Sequence, residues 1–321
     1  MVKVLDKKAY NLIEALFKAT QGELVQYLPE TLASFYGEDR IVENKDFIMA
    51  IGDIPVGLVA HMDTVHRVPV QDLYYDREAG IMWSPQGLGA DDRAGIFGII
   101  ELLQRGVRPT VILTTDEECG GIGAGSLIAK LPTPPCELNY LVELDRRGSR
   151  DCVFYECDNV EFEEYIELYD FTTNYGSFSD ISIIAPTWGI AAVNLSIGYE
   201  NEHSLQETLN VTWLYDTVDK VEKMLNEVTE KDKFEYVKAE TNSYSRYMSS
   251  SFDYNTRDWK RTASELCWEC LGNFDEDGII TIADGDYCLD CYEKLYSSCL
   301  DCGRVFKDTT KTHLKCEACR K

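Results

Sequence analysis

The first 230 residues alternate between short apolar runs and longer amphipathic segments. "KDFIMAIG" and "VGLVAHM" predict two strands separated by a Gly-Asp-Ile-Pro turn, and "DLYYDREAGIMWSP" predicts a hairpin that turns at residues 78–80. "DRAGIFGIIELLQRG" predicts a helix closed by Gly106. Further strands are predicted at "TVILTTDEE", "NYLVELD" and "AAVNLSIG", and further helices at "EFEEYIELY" and "VTWLYDTVDKVEKMLNEV". This alternation predicts an α/β fold built on a layered sheet.

The pattern changes at about residue 232. The segment "KAETNSYSRYMSSSFDYNTRDWKRTAS" has no apolar period and is rich in Ser, Asn and Tyr, which is typical of a linker. Its tyrosines are expected to pack part of it on the first domain. We therefore predict a large α/β domain at 1–235, a linker at 236–263 and a small tail domain at 264–321.

Charge and hydropathy exclude several classes of function. The net charge is −25, and a strongly acidic chain repels nucleic acid. No apolar run approaches the roughly 18 residues that a membrane span requires. The first residues, "MVKVLDKKAYNLIEALF", lack the uniformly apolar centre of a secretory signal. We expect a cytoplasmic protein without a membrane partner.

Metal-binding side chains recur at the ends of successive predicted strands and in the turns that follow them. They are His61 with Asp63, Asp91 with Asp92, Asp116 with Glu117 and Glu118, then Asp145, and finally His203. An isolated acid after a strand is usually a helix cap or a turn former, but capping hardly explains five such signals in order. Because ligands of α/β sheets bind beyond the carboxyl ends of the strands, we predict that these side chains converge.

The convergent set has the chemistry of a two-metal site. Two imidazoles and three carboxylates suit two divalent ions such as zinc, provided that one carboxylate bridges them. A further acid must then act as the general base. Because Glu117 and Glu118 are adjacent, we expect one to bind metal and its neighbour to face the water.

At these motifs the chain resembles the co-catalytic zinc exopeptidases, a superfamily of aminopeptidases, carboxypeptidases and N-acyl-amino-acid deacylases. "HMDTV", "GADDRAG", "TTDEE" and "EHS" match in order within residues 45–228. The resemblance implies a three-layer α/β/α fold with a mixed, mostly parallel sheet, of the zinc-exopeptidase and phosphorylase/hydrolase-like type. The implied metal ligands are His61, Asp91, Glu118, Asp145 and His203. In this scheme Asp91 bridges two zinc or other divalent ions, and its following peptide bond is cis. Asp63 orients the His61 imidazole, and Glu117 is the general base.

The chain departs from larger members of the superfamily because it has no room for a lid. Only 58 positions separate Asp145 from His203, and 30 separate His61 from Asp91. This spacing favours the single-domain aminopeptidases that act on small peptides. The alternatives are a deacylase of N-acyl amino acids, a carboxypeptidase, or a peptidase-like binding protein that acts through its tail.

Substrate contacts are predicted less directly. Asp180 and Glu200 are candidates to hold a substrate's free α-amine, and Tyr199 is a candidate to line the pocket. His66, five residues beyond His61, is interpreted as a plain surface histidine.

The tail is marked by four C-x-x-C pairs. These contain Cys267, Cys270, Cys288, Cys291, Cys299, Cys302, Cys316 and Cys319. The gaps of 17 residues after the first pair and 13 after the third fit two Cys₄ zinc sites, which predicts a zinc-ribbon or treble-clef domain. "GNFDEDGIITIADGDY" predicts the intervening hairpin. Cross-brace pairing of the same motifs is the alternative. A domain this small is expected to fold on its metals and to serve stability, oligomer contacts or a protein partner, with nucleic acid a weaker alternative.

The predicted sites fix an expected zinc content. We expect about four zinc ions per chain, with two of them removed more readily by a chelator and with amide hydrolysis lost in step. Elemental analysis of protein dialysed against graded chelator, with hydrolysis followed in parallel, measures this. Two zinc ions per chain and no hydrolysis of any aminoacyl or acyl substrate would instead favour the binding protein.

Overall fold

The computed structural model describes residues 2–66 and 68–239, and beyond these residues 265–266, 273–274, 279–282, 285–288, 294–298, 305–307 and 315. The chain divides into two compact units, Met1–Ser245 and Arg246–Lys321. Each unit is described by itself.

The first unit is built on an eight-stranded sheet. Its strands are β1 (Ile41–Glu43), β2 (Phe47–Ala50), β3 (Ile54–His61), β6 (Pro109–Thr114), β7 (Tyr140–Arg146), β8 (Asp151–Val153), β9 (Thr172–Thr173) and β10 (Ala192–Ser196). Their order is β1-β2-β6-β3-β7-β10-β8-β9. The four central strands β6, β3, β7 and β10 run parallel, while β2 and β8 flank them in antiparallel pairing. The mixed, largely parallel sheet that the sequence predicts is confirmed.

Seven α-helices in the described part of the first unit accompany this sheet. They are α1 (Lys7–Lys18), α2 (Gln21–Tyr36), α3 (Ala90–Gln104), α4 (Ile122–Lys130), α5 (Val160–Glu167), α6 (Ile181–Trp188) and α7 (Val211–Glu227). Local signals set several of their ends. Asp6 accepts a hydrogen bond from Ala9 N at 2.8 Å, and Thr20 and Glu23 form a reciprocal capping box. The predicted helix that ends before Gly106 is α3.

Alternating side chains of the central strands enter two separate cores. In β7, Tyr140 and Val142 belong to one apolar cluster and Leu141 belongs to the other. The first cluster also contains residues of α1, α2, α3, α5 and α7, and the second contains residues of α4 and α6. Because successive residues of a strand point to opposite faces, each face of the sheet is covered by helices. This is the predicted three-layer α/β/α arrangement.

A second, four-stranded sheet lies within the first unit. It contains β4 (Tyr74–Asp76), β5 (Ile81–Trp83), β11 (Tyr199–Glu200) and β12 (Thr208–Asn210), in the order β11-β12-β5-β4. The predicted hairpin is confirmed, since β4 and β5 pair antiparallel. The addition of β11 and β12 connects this hairpin to the segment that carries His203.

The first unit extends past the boundary predicted at residue 235. Tyr236 N donates to Gly189 O at 3.1 Å, and Ala239 N donates to Glu156 O at 2.8 Å. Tyr236 also packs against both apolar clusters. Residues 236–239, which were predicted as linker, are therefore part of the first unit because their backbone is paired with it.

The described part of the second unit contains three antiparallel strand pairs. They are β13 (Glu265–Leu266) with β14 (Asn273–Phe274), β15 (Ile279–Ile282) with β16 (Gly285–Cys288), and β17 (Tyr296–Ser298) with β18 (Val305–Lys307). The β15–β16 hairpin confirms the one predicted between the first two C-x-x-C pairs. The side chains of all eight tail cysteines lie outside the described residues.

No helix in the described part of the chain is both long enough and apolar enough to cross a membrane.

Arg93 connects the beginning of the chain to α3. This buried side chain donates from Nη1 to Leu16 O at 2.9 Å, to Phe17 O at 3.3 Å and to Ala19 O, and from Nη2 to Met62 O at 3.3 Å. Carbonyls at a helix C-terminus lack partners within the helix, and Arg93 supplies donors for those of α1.

Arg93→Met should therefore destabilise the first unit by about 3 kcal/mol, because it leaves several buried carbonyls without donors. Urea unfolding followed by circular dichroism measures this. The control is Arg150→Met, which removes an exposed arginine whose ion pair with Asp170 spans 3.2 Å and should change stability by less than about 0.5 kcal/mol. Equal stability of the two variants would contradict the role given to Arg93.

Candidate metal centre

Two clusters of histidine and carboxylate side chains meet at the carboxyl ends of the central strands. His61 is the last residue of β3, Asp145 lies near the end of β7, and Glu117 and Glu118 follow β6. Asp91 lies at the start of α3, where its φ and ψ are not helical, and His203 follows β11. All five ligands predicted from the sequence lie in these two clusters.

The first cluster is formed by His61, Asp91 and Asp145. His61 Nε2 lies 3.1 Å from Asp91 Oδ1 and 3.6 Å from Asp145 Oδ1, and His61 is fully buried. Burial alone would lower the pKa of His61, but the charge of Asp145 and hydrogen bonds to the surrounding carboxylates raise it well above its ordinary value. Burial, and then the charge of Asp91, raise the pKa of Asp145 to about 6.

Asp63 supports this cluster from behind. Its Oδ1 lies 3.1 Å from His61 Nδ1, so the other ring nitrogen faces Asp91. Glu117 N and Glu118 N also donate to Asp63, at 3.0 and 3.1 Å. Burial would raise the pKa of Asp63, but the bonds from His61 and these two amides hold it below its usual value. A negative Asp63 fixes the orientation of the imidazole, which is the arrangement expected from the sequence.

The second cluster is formed by Asp91, Glu118 and His203. His203 Nε2 lies 3.2 Å from Asp91 Oδ2 and 2.9 Å from Glu118 Oε1. These contacts with Asp91 and Glu118 raise the pKa of His203 to about 11. Asp91 therefore presents one carboxylate oxygen to each cluster, as a bridging ligand must.

The donor set fits two divalent cations. Each cluster offers one imidazole nitrogen and two carboxylate oxygens, all within 4.8 Å of one another. Glu118 Oε1 is buried and faces His203 Nε2 at 2.9 Å. A buried carboxylate oxygen next to an imidazole nitrogen is the environment of a ligand whose partner is a cation.

Glu117 lies beside both clusters but is a member of neither. It is 8% exposed, lines the cleft, and also groups with His61 and Glu118 as a possible ligand. Burial, and then the charge of Asp145, raise its pKa to about 9. A carboxyl group with such a raised pKa next to a ligand set has the properties of a group that takes up a proton.

The sequence analysis missed Glu207, which is buried behind Asp91. Its Oε1 accepts from Asp91 N at 3.0 Å, and its Oε2 accepts from Gly89 N at 2.7 Å and lies 2.9 Å from His66 Nε2. The Asp91–Asp92 peptide bond is cis, as the resemblance implied. The prediction that His66 is a plain surface histidine is wrong, because its ring is mostly buried against Glu207.

A second missed residue, Asn194, holds Asp145. The Asn194 side chain accepts from Asp145 N at 2.9 Å and donates to Asp145 O at 2.8 Å. It also donates to the hydroxyl of Tyr155 at 3.0 Å. Neither Glu207 nor Asn194 has a motif of its own, so only the folded structure identifies them.

The predicted substrate contacts have different outcomes. Asp180 is fully buried and bonds to the Thr114 hydroxyl, and burial raises its pKa to about 7, so the prediction that it holds a substrate amine is wrong. Tyr199 lines the cleft and donates to Asp145 Oδ1 at 3.0 Å. Glu200 is exposed and lies at an adjoining outer pocket.

The cleft above the clusters has a volume of about 280 Å³. Five carboxylates line it, and its cationic side chains besides His203 are Arg146 and Arg147. Tyr155 and Phe178 contribute its aromatic wall.

Comparisons with known proteins agree with this geometry at the level of the fold. No protein-family model matches the chain, and no curated protein matches it. Among solved structures, aminopeptidase PepT from Bacillus cereus superposes with a TM-score of 0.54 at 15% identity, over 69% of this chain and 98% of that one. A tripeptidase from Staphylococcus aureus gives 0.53 at 15% identity, with 69% and 98% covered. A TET aminopeptidase from a marine-sediment Thaumarchaeota archaeon gives 0.52 at 14%, with 71% and 99% covered.

The chain has the fold of these aminopeptidases. The fold expected from the exopeptidase resemblance is thereby confirmed. The matches extend over nearly the whole of the aminopeptidase chains and about 70% of this chain.

Glu207→Gln should weaken the binding of divalent metal by about 10- to 100-fold, because an amide keeps only one acceptor oxygen for the two backbone N–H groups that position Asp91. Calorimetric titration of chelator-treated protein with Zn²⁺ measures this. Glu137→Gln is the control, since Glu137 is exposed and pairs with Lys233. Unchanged zinc affinity in Glu207→Gln would show that Asp91 is positioned without it.

Proposed function

We propose that the protein is a di-metal hydrolase of amide bonds and, more specifically, an aminopeptidase-type exopeptidase that acts on small peptides. The observation that carries this proposal is Asp91, whose two carboxylate oxygens face two different histidine–carboxylate clusters. Glu117 lies beside both. The fold shared with aminopeptidases, including a tripeptidase, supports the same conclusion.

In this proposal His61 and Asp145 hold one cation, Glu118 and His203 hold the other, and Asp91 holds both. The cations, when bound, polarise the substrate carbonyl and acidify a water molecule. Glu117 accepts the proton of the attacking water and returns it to the leaving amine. Two nearby cations would lower the pKa of Glu117 from the raised value that burial and Asp145 produce, so that the carboxylate becomes available as a base.

Small peptides are the proposed substrates because the cleft is small. A volume of about 280 Å³ admits a few residues of an extended chain and no folded protein. An aminopeptidase substrate carries a free α-amine, whereas the N-acylated substrate of a deacylase carries no such cation. Comparing an aminoacyl substrate with its N-acetyl form separates the two activities.

We further propose that the protein works in the cytoplasm and that the C-x-x-C pairs of the tail bind two structural zinc ions. Cys119, Cys136, Cys152 and Cys157 are free thiols in the first unit, which fits a reducing compartment. The cysteine spacing and the β15–β16 hairpin support zinc-ribbon folding of the tail. Contacts of the tail with a protein partner or a second copy of the chain belong to this proposal.

Glu117→Gln should lower kcat for a hydrolysed peptide by about 100- to 10,000-fold, because the amide cannot accept the proton of the attacking water. The content of divalent metal should stay at the wild-type level. Stopped-time peptide assays with elemental analysis of the same sample measure both quantities.

The matched control is Glu164→Gln, which removes an exposed carboxylate of α5. Activity within twofold of wild type is expected for it. Full activity in Glu117→Gln would contradict the assignment of Glu117 as general base. Loss of metal would instead assign it as a ligand.

A further inference from the structure

We propose that Arg147, assisted by Arg146, binds the C-terminal carboxylate of a short peptide substrate. This inference rests on the proposed peptidase function and names its substrate class as peptides of two or three residues with a free C-terminus. The starting observation is that both arginines line the same cleft as Glu117, Asp145 and His203.

The chain places these arginines close to the metal ligands. Arg146 and Arg147 directly follow Asp145, so their Cα atoms lie within about 4 and 7 Å of the Cα atom of that ligand. One residue of an extended peptide spans roughly 3.3 Å. Arg147 Nη1 also lies 2.8 Å from Glu202, which directly precedes the ligand His203, so the C-terminus of a substrate with one or two residues after the scissile bond lies within reach of this arginine.

The backbone under the arginines is held at several points. Ile197 N donates to Arg146 O at 2.8 Å, and the Ser196 hydroxyl donates to Arg147 O at 2.6 Å. Gly148 N donates to Tyr199 O at 2.8 Å. Both arginine side chains therefore extend from a backbone segment that hydrogen bonds hold to the strand ends. A fixed backbone gives a side chain that binds substrate a defined position.

The two arginines differ in burial and in the contacts that their guanidinium groups already make. Arg146 is mostly buried, donates to Tyr175 O at 3.0 Å and lies 3.6 Å from Asp151. Arg147 is 56% exposed, and its Nη1 contacts Glu202 at 2.8 Å. An exposed ion pair contributes little stability, so a substrate carboxylate can displace or share this contact. The planar guanidinium offers paired donors that match a carboxylate in two parallel hydrogen bonds.

Arg146 and Arg147 attract the C-terminal carboxylate of a peptide. A peptide with a free C-terminus gains this contact, whereas an amidated peptide lacks it. The expected result is discrimination between acid and amide that appears mainly in KM.

The test compares Leu-Gly-Gly with Leu-Gly-Gly amide, using the full-length protein loaded with zinc. Wild type should cleave the acid with a kcat/KM at least tenfold above that for the amide. In Arg147→Ala this ratio should fall close to one through a rise in KM for the acid, and Arg147→Lys should give an intermediate ratio. Arg150→Ala, the exposed-arginine control, should keep the wild-type ratio.

The ratio of kcat/KM for the acid to that for the amide should rise when Glu202, which competes with the substrate carboxylate for Arg147, is removed. Glu202→Gln should raise the ratio of acid to amide above that of wild type, because Arg147 loses its ion-pair partner. Leu-Gly-Glu amide carries a carboxylate on its last side chain and none at its C-terminus. It tests whether Arg147 binds the C-terminal carboxylate specifically, and in that case it should be cleaved no better than Leu-Gly-Gly amide.

Three results would overturn the inference while leaving the peptidase function in place. They are a wild-type ratio near one, an unchanged ratio in Arg147→Ala, and cleavage of Leu-Gly-Glu amide as efficient as that of the free acid. If zinc-loaded wild type cleaves none of the peptides, the proposed function itself fails, and the carboxylate subsite fails with it.

Discussion

Repulsion between carboxylates at one edge of the sheet is the constraint on which this structure depends. Asp91, Glu117, Glu118 and Asp145 lie around two imidazoles in a largely buried space. Two like charges 4 Å apart repel by about 4 kcal/mol at the effective dielectric constant of a protein surface. The raised pKa values of Glu117 and Asp145 record this repulsion together with burial. Cations between the carboxylates relieve it, and protons relieve it where cations are absent.

The scaffold holds these charges with partners that serve mainly to position them. Asp63 orients His61, Asn194 binds the backbone of Asp145 on both sides, and Glu207 accepts from the amide of Asp91. Backbone N–H groups and a side-chain amide supply much of this support without adding net positive charge. The positioning groups therefore do not neutralise the ligand carboxylates, whose negative charges remain available to bind cations.

Much of the fold could be predicted from the sequence because its signals are local. The strands at "VGLVAHM" and "TVILTTDEE" are short apolar runs that end in polar residues, and β3 and β6 follow them closely. The convergence of His61, Glu117, Glu118 and Asp145 could be predicted from strand polarity, because these residues end or follow the parallel strands β3, β6 and β7, whose ends meet at one edge.

Other features depend on distant contacts that leave no local pattern. Glu207 and His66 are 141 positions apart, and nothing near either residue indicates that they touch. Asp180 was predicted to contact substrate, yet packing of α6 against the sheet buries it. The extension of the first unit to residue 239 depends on backbone pairing with Gly189 and Glu156, which a composition change cannot locate.

The segment between β11 and β12 joins the two halves of the centre. His203 in this segment faces the second cluster, and Glu207, four positions later, fixes the backbone of the ligand that serves both clusters. Most surface loops tolerate insertions at little cost. Here an insertion between His203 and Glu207 would shift a ligand relative to the group that positions Asp91, so the length of this loop is itself a constraint on the centre.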